Sequence, residues 1–207
     1  MEDLGQYILW AEQGVAAAQC AVADAYRYGD GIERDMEQAI YWYKKAAENG
    51  YADGQYGLGL CYHEGDGVAS DMKKALYWCG KAAEQGHAFA QAFVADAYLR
   101  GNGVAQDAKQ AFYWFKKSAE GGCVGAQFNL GLFYEQGIVA TKDQAKAVYW
   151  WTKAGEQGLA EAQFRVGAAY RVGKGAVKNV AKAEYWFQKA ADQGHEKAKE
   201  ALCFLGI

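Results

Sequence analysis

The chain repeats itself every 36 residues, and this period constrains the fold more than any other feature of the sequence. Tryptophan recurs five times at this interval without an insertion or a deletion, at Trp42, Trp78, Trp114, Trp150 and Trp186. Segments of roughly 20–50 residues that recur in register are typical of repeat proteins, in which each unit packs mainly against its neighbours. The period therefore predicts a stack of five equivalent units.

Each unit contains the residues that typically begin and end two short helices. In the second unit, the stretch Ala52–His63 has apolar residues spaced for one helical face, and Gly65 and Gly67 follow it. Glycine adopts the left-handed conformation that ends a helix, and Asp71 can accept the first backbone N–H groups of a following helix. The next stretch, Met72–Gln85, has alanines on either side of its tryptophan. The unit is therefore predicted to be an α-hairpin.

The hairpins are expected to form one continuous array. A single hairpin cannot bury both of its faces, so neighbouring hairpins must stack, and a constant offset between them produces a superhelix. We therefore predict an all-α fold, a right-handed superhelical α/α solenoid over residues 1–207. The five predicted repeats cover about residues 15–50, 51–86, 87–122, 123–158 and 159–194. Residues 1–14 and 195–207 are expected to form partial capping helices.

Three segments of the repeat carry a recognisable pattern. The first helix shows it best at Ala126–Tyr134, the turn at Gly65–Val68 and Gly101–Val104, and the second helix at Lys81–Ala83 and Lys189–Ala191. The pattern resembles the Sel-one-like repeat family, a branch of the tetratricopeptide-type α/α solenoids, and covers almost the entire chain. The resemblance implies a module that scaffolds other proteins. Eukaryotic members do so in degradation complexes, and bacterial members in host contact, envelope signalling or effector neutralisation.

Positions that vary between the copies are the candidates for binding. Residues that are constant between copies, above all the tryptophans, are predicted to form the core. In tetratricopeptide-type arrays the first helices line the concave side, so variable positions on these helices are free to contact a partner. We call these candidates the groove residues: Asp24, Arg27, Tyr28, Tyr56, Leu60, His63, Phe89, Asp96, Leu99, Arg100, Phe128, Leu132, Glu135, Phe164 and Arg171. Aromatic rings beside arginines are typical of binding hot spots. The alternative is that the apolar groove residues only pack against the next first helix.

The sequence predicts no catalytic, metal or cofactor site. Ser70–Lys73 matches the S-x-x-K pattern of penicillin-recognising enzymes, but the residue equivalent to Ser70 varies between copies and the S-D-N and K-T-G partners are missing. A β-lactamase-like or penicillin-binding hydrolase is therefore kept only as the alternative function. His87 and His195 lie three repeats apart, which argues against a shared metal. The glycine pairs join two helices and do not follow a strand, which argues against dinucleotide binding.

The charge and the ends of the chain indicate the class of partner and the compartment. The net charge of −3 supplies no basic stripe for phosphates, so no nucleic acid partner is expected. No apolar run reaches the roughly 18 residues of a membrane span, and the first residues lack a signal-peptide pattern. We therefore predict a cytoplasmic protein, or a periplasmic or secreted one if an upstream signal was removed. The predicted function is that of a monomeric, non-catalytic bacterial adaptor, regulator or effector-neutralising protein that binds a protein or peptide.

Overall fold

The computed structural model describes residues 4–205, and within this range the chain forms twelve α-helices and no strand. Their bounds are α1 Leu4–Glu12, α2 Ala16–Tyr28, α3 Met36–Glu48, α4 Ala52–Glu64, α5 Met72–Glu84, α6 Ala88–Arg100, α7 Ala108–Glu120, α8 Val124–Gln136, α9 Gln144–Glu156, α10 Ala160–Val172, α11 Val180–Asp192 and α12 Glu196–Leu205. The prediction of an all-α fold built from two-helix repeats is confirmed. Residues 1–3 and 206–207 of the predicted capping segments lie outside the described residues.

The helix ends follow the sequence signals. The first helix of every repeat ends at a glycine with a φ of 72–80°, where a side chain would be strained: Gly29, Gly65, Gly101, Gly137 and Gly173. The second helices begin at residues whose side chains accept backbone N–H groups: Asp35, Asp71, Asp143 and Asn179. Asn179 therefore caps its helix as aspartate does in the other repeats, and the substitution leaves the fold unchanged.

The residue after the tryptophan is buried in every repeat. These residues, at most 4% exposed, are Tyr43, Cys79, Phe115, Trp151 and Phe187. The conserved tryptophans lie one position earlier, about 100° around the helix. Only Trp186 is buried, whereas the other four are half-buried. The prediction that the tryptophans form the core is therefore right for Trp186 alone. Trp42, for example, packs on the side of its hairpin against two buried clusters.

A buried glutamine joins each repeat to the one before it. The glutamines, at most 5% exposed, are Gln19, Gln55, Gln91, Gln127 and Gln163. Each side-chain Nε2 donates to the carbonyl oxygen of the residue eight positions earlier, over 2.9–3.2 Å. Four of the amide oxygens also accept a hydrogen bond from a side chain 30 residues later, as Gln127 does from Gln157. The cost of burying these amides is offset because they are hydrogen-bonded.

The chain divides into two compact units. The N-terminal unit covers residues 1–107 and contains α1–α6, and the C-terminal unit covers residues 108–207 and contains α7–α12. Within each unit the second helix of a repeat packs against its own first helix and against the first helix that follows. None of the described helices is long and apolar enough to cross a membrane.

Candidate protein-binding surface

All fifteen groove residues keep part of their surface accessible. Five are exposed, namely Asp24, Tyr28, His63, Phe89 and Arg100. The other ten are half-buried, and none is buried. Phe128 packs against the buried cluster around Trp151, and Phe164 packs against the one around Phe187. These two rings therefore both support the fold and present a face at the surface. That the groove residues bind a partner stays a prediction.

Five groove residues of the N-terminal unit line one cavity of about 160 Å³. Its walls are Cys20, Asp24, Arg27, Tyr28, Tyr43, Asp53, Tyr56, Gly57 and Leu60. The cavity lies between α2 and α4, with Tyr43 of α3 behind it. Gly57 is required here, because a Cβ atom at this position would collide with the ring of Tyr43. The sequence comparison did not select Asp53, although it occupies a variable slot of the first helix.

Hydrogen bonds and an ion pair hold the charged walls of this cavity in place. The hydroxyl of Tyr43 donates to Oδ1 of Asp24, and Nη2 of Arg27 lies 2.7 Å from Oε2 of Glu64. The side chain of Arg27 is only 10% exposed, so this ion pair is largely shielded from water on the arginine side. Burial and the hydrogen bond to Asp24 raise the pKa of Tyr43, which keeps the hydroxyl protonated as a donor.

A histidine, an acid and an aromatic ring form the same arrangement in both units. In the N-terminal unit, Nδ1 of His87 accepts the N–H of Ala90 over 3.1 Å, and Nε2 faces Oδ1 of Asp53 at 3.3 Å. The ring of Tyr56 lies 4.6 Å from the imidazole, between centroids. His87 therefore caps α6 and links it to α4. Burial lowers the pKa of His87, although Asp53 opposes this effect.

The C-terminal unit repeats the arrangement 108 residues later. Nε2 of His195 lies 3.0 Å from Oε2 of Glu161, and its imidazole stacks on Phe164 with centroids 4.8 Å apart. Nδ1 of His195 accepts the N–H of Ala198 over 3.3 Å. Sequence analysis judged the two histidines only as metal ligands and missed this role. The signal was available, since acid, ring and histidine all recur at three times the period.

A second cavity, of about 290 Å³, lies in the C-terminal unit. Its lining includes Glu135, Trp151, Glu161, Phe164, Arg165, Val172, Lys174 and Lys197. Arg165 lies 3.2 Å from Glu135 and 2.9 Å from Glu161, and its guanidinium sits 5.2 Å from the centroid of Trp151. Arg165 is not among the groove residues, although its slot on the first helix varies between the copies. Both carboxylates of this cavity are therefore engaged by Arg165.

The charges are divided unequally between the two units. The N-terminal unit has sixteen Asp and Glu against eight Lys and Arg, and the C-terminal unit has nine against fourteen. The overall charge of −3 conceals this separation. A partner that contacts the N-terminal unit therefore meets an acidic surface, and one that contacts the C-terminal unit meets a basic one.

The residues considered for chemistry serve local structure. Ser70 is exposed in the turn after α4, and its hydroxyl donates to the carbonyl oxygen of His63 over 3.2 Å. Among the described residues, no group of three His, Cys, Asp or Glu side chains could hold a metal ion. Four of the described cysteines are buried and Cys203 is exposed, and none of them forms a disulfide bond. Burial raises the pKa of Cys61 to about 11 and that of Cys79 to about 12, so these thiols stay protonated at neutral pH.

The Sel1 repeat family model matches five segments of the chain, at residues 16–51, 52–87, 88–123, 124–159 and 160–195. The chain belongs to the Sel1 repeat family. Sel1 repeats are a non-enzymatic scaffold fold that generally mediates protein interactions. No curated protein sequence matches the chain.

Solved structures of other Sel1 repeat proteins are similar to this one. The protective antigen c5321 of uropathogenic Escherichia coli, which displays an SLR fold, is 34% identical with a TM-score of 0.90, over 99% of this chain and 45% of that protein. A Sel1 repeat protein from Oxalobacter formigenes is 36% identical with a TM-score of 0.80, over 92% and 76%. The immunity protein PA5088 of Pseudomonas aeruginosa is 25% identical with a TM-score of 0.53, over 88% and 66%. The chain thus spans less than half the length of c5321.

Proposed function

We propose that this Sel1 repeat protein is a non-catalytic adaptor or neutralising protein that binds another protein through its groove residues. The observation that carries the proposal is that all fifteen groove residues remain at least partly accessible, and that five of them line one cavity. On the first helices, by contrast, the glutamine that is constant between repeats is buried and hydrogen-bonded to the repeat before it. The groove residues differ from one repeat to the next. They can therefore recognise a partner whose surface does not repeat.

The opposite face of the repeats is uniform. Each second helix carries a tyrosine that is 47–56% exposed, at Tyr41, Tyr77, Tyr113, Tyr149 and Tyr185. A lysine one turn later lies 4.8–6.0 Å from the centroid of each ring. These exposed rings offer the same chemistry in every repeat, so they discriminate poorly between partners. They also provide matched controls for the groove residues.

The role of a neutralising protein is favoured by the similarity to PA5088, which is described as an immunity protein. An inhibitor of this kind acts by covering a surface of its target, and it needs no reacting groups of its own. In this proposal the protein works in a reducing compartment such as the cytoplasm, where its five cysteines stay as thiols. In this proposal the protein acts as a monomer, which light scattering coupled to size exclusion tests directly.

The test compares two double variants of the full chain. Tyr28→Ala with Phe89→Ala removes two groove side chains that are 69% and 60% exposed, and Tyr41→Ala with Tyr77→Ala removes two similarly exposed rings from the second helices. Each protein is used to capture partners from a lysate of the source organism, and the affinity of the purified partner is then measured by calorimetry. We expect the groove variant to lose binding and the control to keep it, at equal melting temperatures. Equal losses in both variants would contradict the assignment.

A further inference from the structure

The cavity between α2 and α4, which we call the acidic cavity, has a composition suited to a cation. Asp24 and Asp53 supply two carboxylates, and Tyr28 and Tyr56 supply two aromatic rings. The one cation in its wall, Arg27, is paired with Glu64 and lies over one face of the Tyr28 ring, 5.4 Å from its centroid. Carboxylates together with the faces of aromatic rings are the groups that bind guanidinium and ammonium ions in proteins. The acidic cavity therefore combines both kinds of group within one small space.

The negative charges of Asp24 and Asp53 also act on Cys20, which forms part of the wall of the acidic cavity. The pKa of the Cys20 thiol there is raised to about 12, mainly by burial and in addition by the charges of Asp24 and Asp53. The same field that disfavours a thiolate favours a cation. The surrounding unit strengthens it, because the N-terminal unit carries twice as many acidic as basic residues. A basic segment would be attracted to this unit from a distance and an acidic one repelled.

The carboxylates retain capacity for further hydrogen bonds. An ionised carboxylate offers about four lone-pair sites. Asp24 uses one of them for the hydroxyl of Tyr43, and Asp53 uses one for His87 and one for the hydroxyl of Tyr51. The side chains of Asp24 and Asp53 are both exposed, and that of Asp53 is 56% exposed. A donor that enters from solvent can therefore reach both carboxylates without breaking these contacts.

The volume limits the size of the ligand. The acidic cavity has a volume of about 160 Å³, which is the volume that about five water molecules occupy in liquid water. Pockets for drug-sized ligands are larger, at roughly 300–1,000 Å³. The space suits the head group of one side chain, with the rest of the partner lying outside. Gly57 maintains this space, because a larger residue there would collide with Tyr43.

We propose that the acidic cavity receives the arginine or lysine side chain of a basic segment of the partner protein. This inference rests on the proposed function, which it extends by naming the chemistry of the bound segment. The basic head group binds Asp24 and Asp53 and packs against the exposed part of the Tyr28 ring. Arginine is the better ligand of the two, since its planar group both stacks on rings and donates to two carboxylate oxygens at once.

The experiment uses three short peptides of glycine and serine with one variable residue in the middle: arginine, its uncharged isostere citrulline, or glutamate. Each is titrated into the full-length protein at low salt, and binding is followed by NMR through the ring signals of Tyr28 and Tyr56. We expect the arginine peptide to bind at least about tenfold more tightly than the citrulline peptide, because charge-assisted hydrogen bonds are lost with the charge. Glutamate should not bind. Equal binding of arginine and citrulline would overturn the proposal.

Two pairs of substitutions separate the acidic cavity from general attraction to an acidic unit. Asp24→Asn with Asp53→Asn removes two charges from the cavity, and asparagine at position 24 can still accept from Tyr43. Glu48→Gln with Glu84→Gln removes the same charge from exposed positions at the ends of α3 and α5. The first pair should weaken the arginine peptide about tenfold and the second less than about twofold. Equal weakening would show non-specific attraction and refute the cavity.

The failure of this inference can be told apart from the failure of the proposed function. If the captured partner loses affinity in the Tyr28 and Phe89 variant but is indifferent to Asp24→Asn with Asp53→Asn, the groove residues bind the partner and the acidic cavity receives no basic side chain. Tyr28→Leu gives an independent readout that leaves every charge in place. We expect it to weaken the arginine peptide without a change in melting temperature, because Tyr28 is 69% exposed. Unchanged affinity in this variant would count against the aromatic contact.

Discussion

Replacing Phe115 should destabilise the protein more than replacing the conserved tryptophan beside it. Phe115 is 1% exposed, and its ring lies 6.0 Å from that of Phe133 between centroids. Trp114 is half-buried, and the ring of Tyr113 lies edge-on against it at 5.1 Å. The variants Phe115→Ala and Trp114→Ala therefore compare a smaller side chain that is sealed with a larger one that is partly exposed.

The two costs follow from burial. Truncating a completely buried phenylalanine to alanine lowers the free energy of unfolding by about 3–5 kcal/mol, because a cavity remains. Trp114 leaves part of its surface in water, so its truncation opens a space that solvent can enter and leaves no sealed cavity. The loss is therefore mainly the transfer free energy of the buried part, about 2 kcal/mol. In a chain of this size, each kcal/mol shifts the melting temperature by about 2–4 °C. Phe115→Ala should therefore melt about 6–20 °C below the wild type, and Trp114→Ala about half as far.

Urea unfolding followed by circular dichroism measures the difference, with the slope of each transition checked against the wild type so that midpoints can be compared. Tyr113→Ala is a suitable control, since Tyr113 is 47% exposed and belongs to the same helix. We expect it to change the midpoint least of the three. If Trp114→Ala proves as destabilising as Phe115→Ala, the residue after the tryptophan is not the main buried side chain of α7.

Three further predictions concern groups that the fold buries. Gln127→Ala should lower the free energy of unfolding by about 1–3 kcal/mol, because the carbonyl of Ala119 and the amide of Gln157 each lose one of their two hydrogen bonds, whereas Gln136→Ala at an exposed position should have little effect in the same urea titration. The folded pKa of His87 lies below that of the unfolded chain, so the stability it contributes is present above about pH 6.5 and is lost as the pH falls through the folded value. The melting temperature of the wild type should therefore fall towards that of His87→Asn between pH 7.5 and pH 5, and a constant difference would contradict this. Finally, one thiol, that of Cys203, should react quickly with a disulfide reagent in the native protein, and rapid reaction of more than one would show that the buried thiols are accessible.

The period of the sequence was sufficient to predict the helices and turns. It places one glycine and one capping residue in each repeat, and both kinds of residue act locally, within a few positions of the helix end. The comparison of copies also identified the surface positions, since none of the groove residues is buried. A helix-capping residue, and whether a residue is constant or variable between copies, can both be recognised at a single position. The sequence therefore shows them directly.

Contacts between repeats could not be predicted in the same way. Arg165 meets Glu135 from 30 residues away, and His195 meets Glu161 from 34 residues away. Each of these partners looks like an unremarkable surface residue when its own slot is compared between copies. The choice of Trp114 as a core residue failed for a related reason, because recurrence shows that a residue is needed but not which side of its helix is sealed.

The two cavities use their carboxylates differently, and this difference decides where charge contributes to recognition. In the C-terminal unit, Glu161 already faces both Arg165 and His195, so its charge is neutralised within the protein. The acid of the same slot in the N-terminal unit, Asp53, faces His87, whose pKa is lowered so that the imidazole stays neutral at physiological pH. The charge of Asp53 is therefore directed outwards and that of Glu161 is not. Charged groups of a partner should for this reason be selected mainly by the N-terminal unit, and its apolar groups by Phe164 and Val172 of the C-terminal unit.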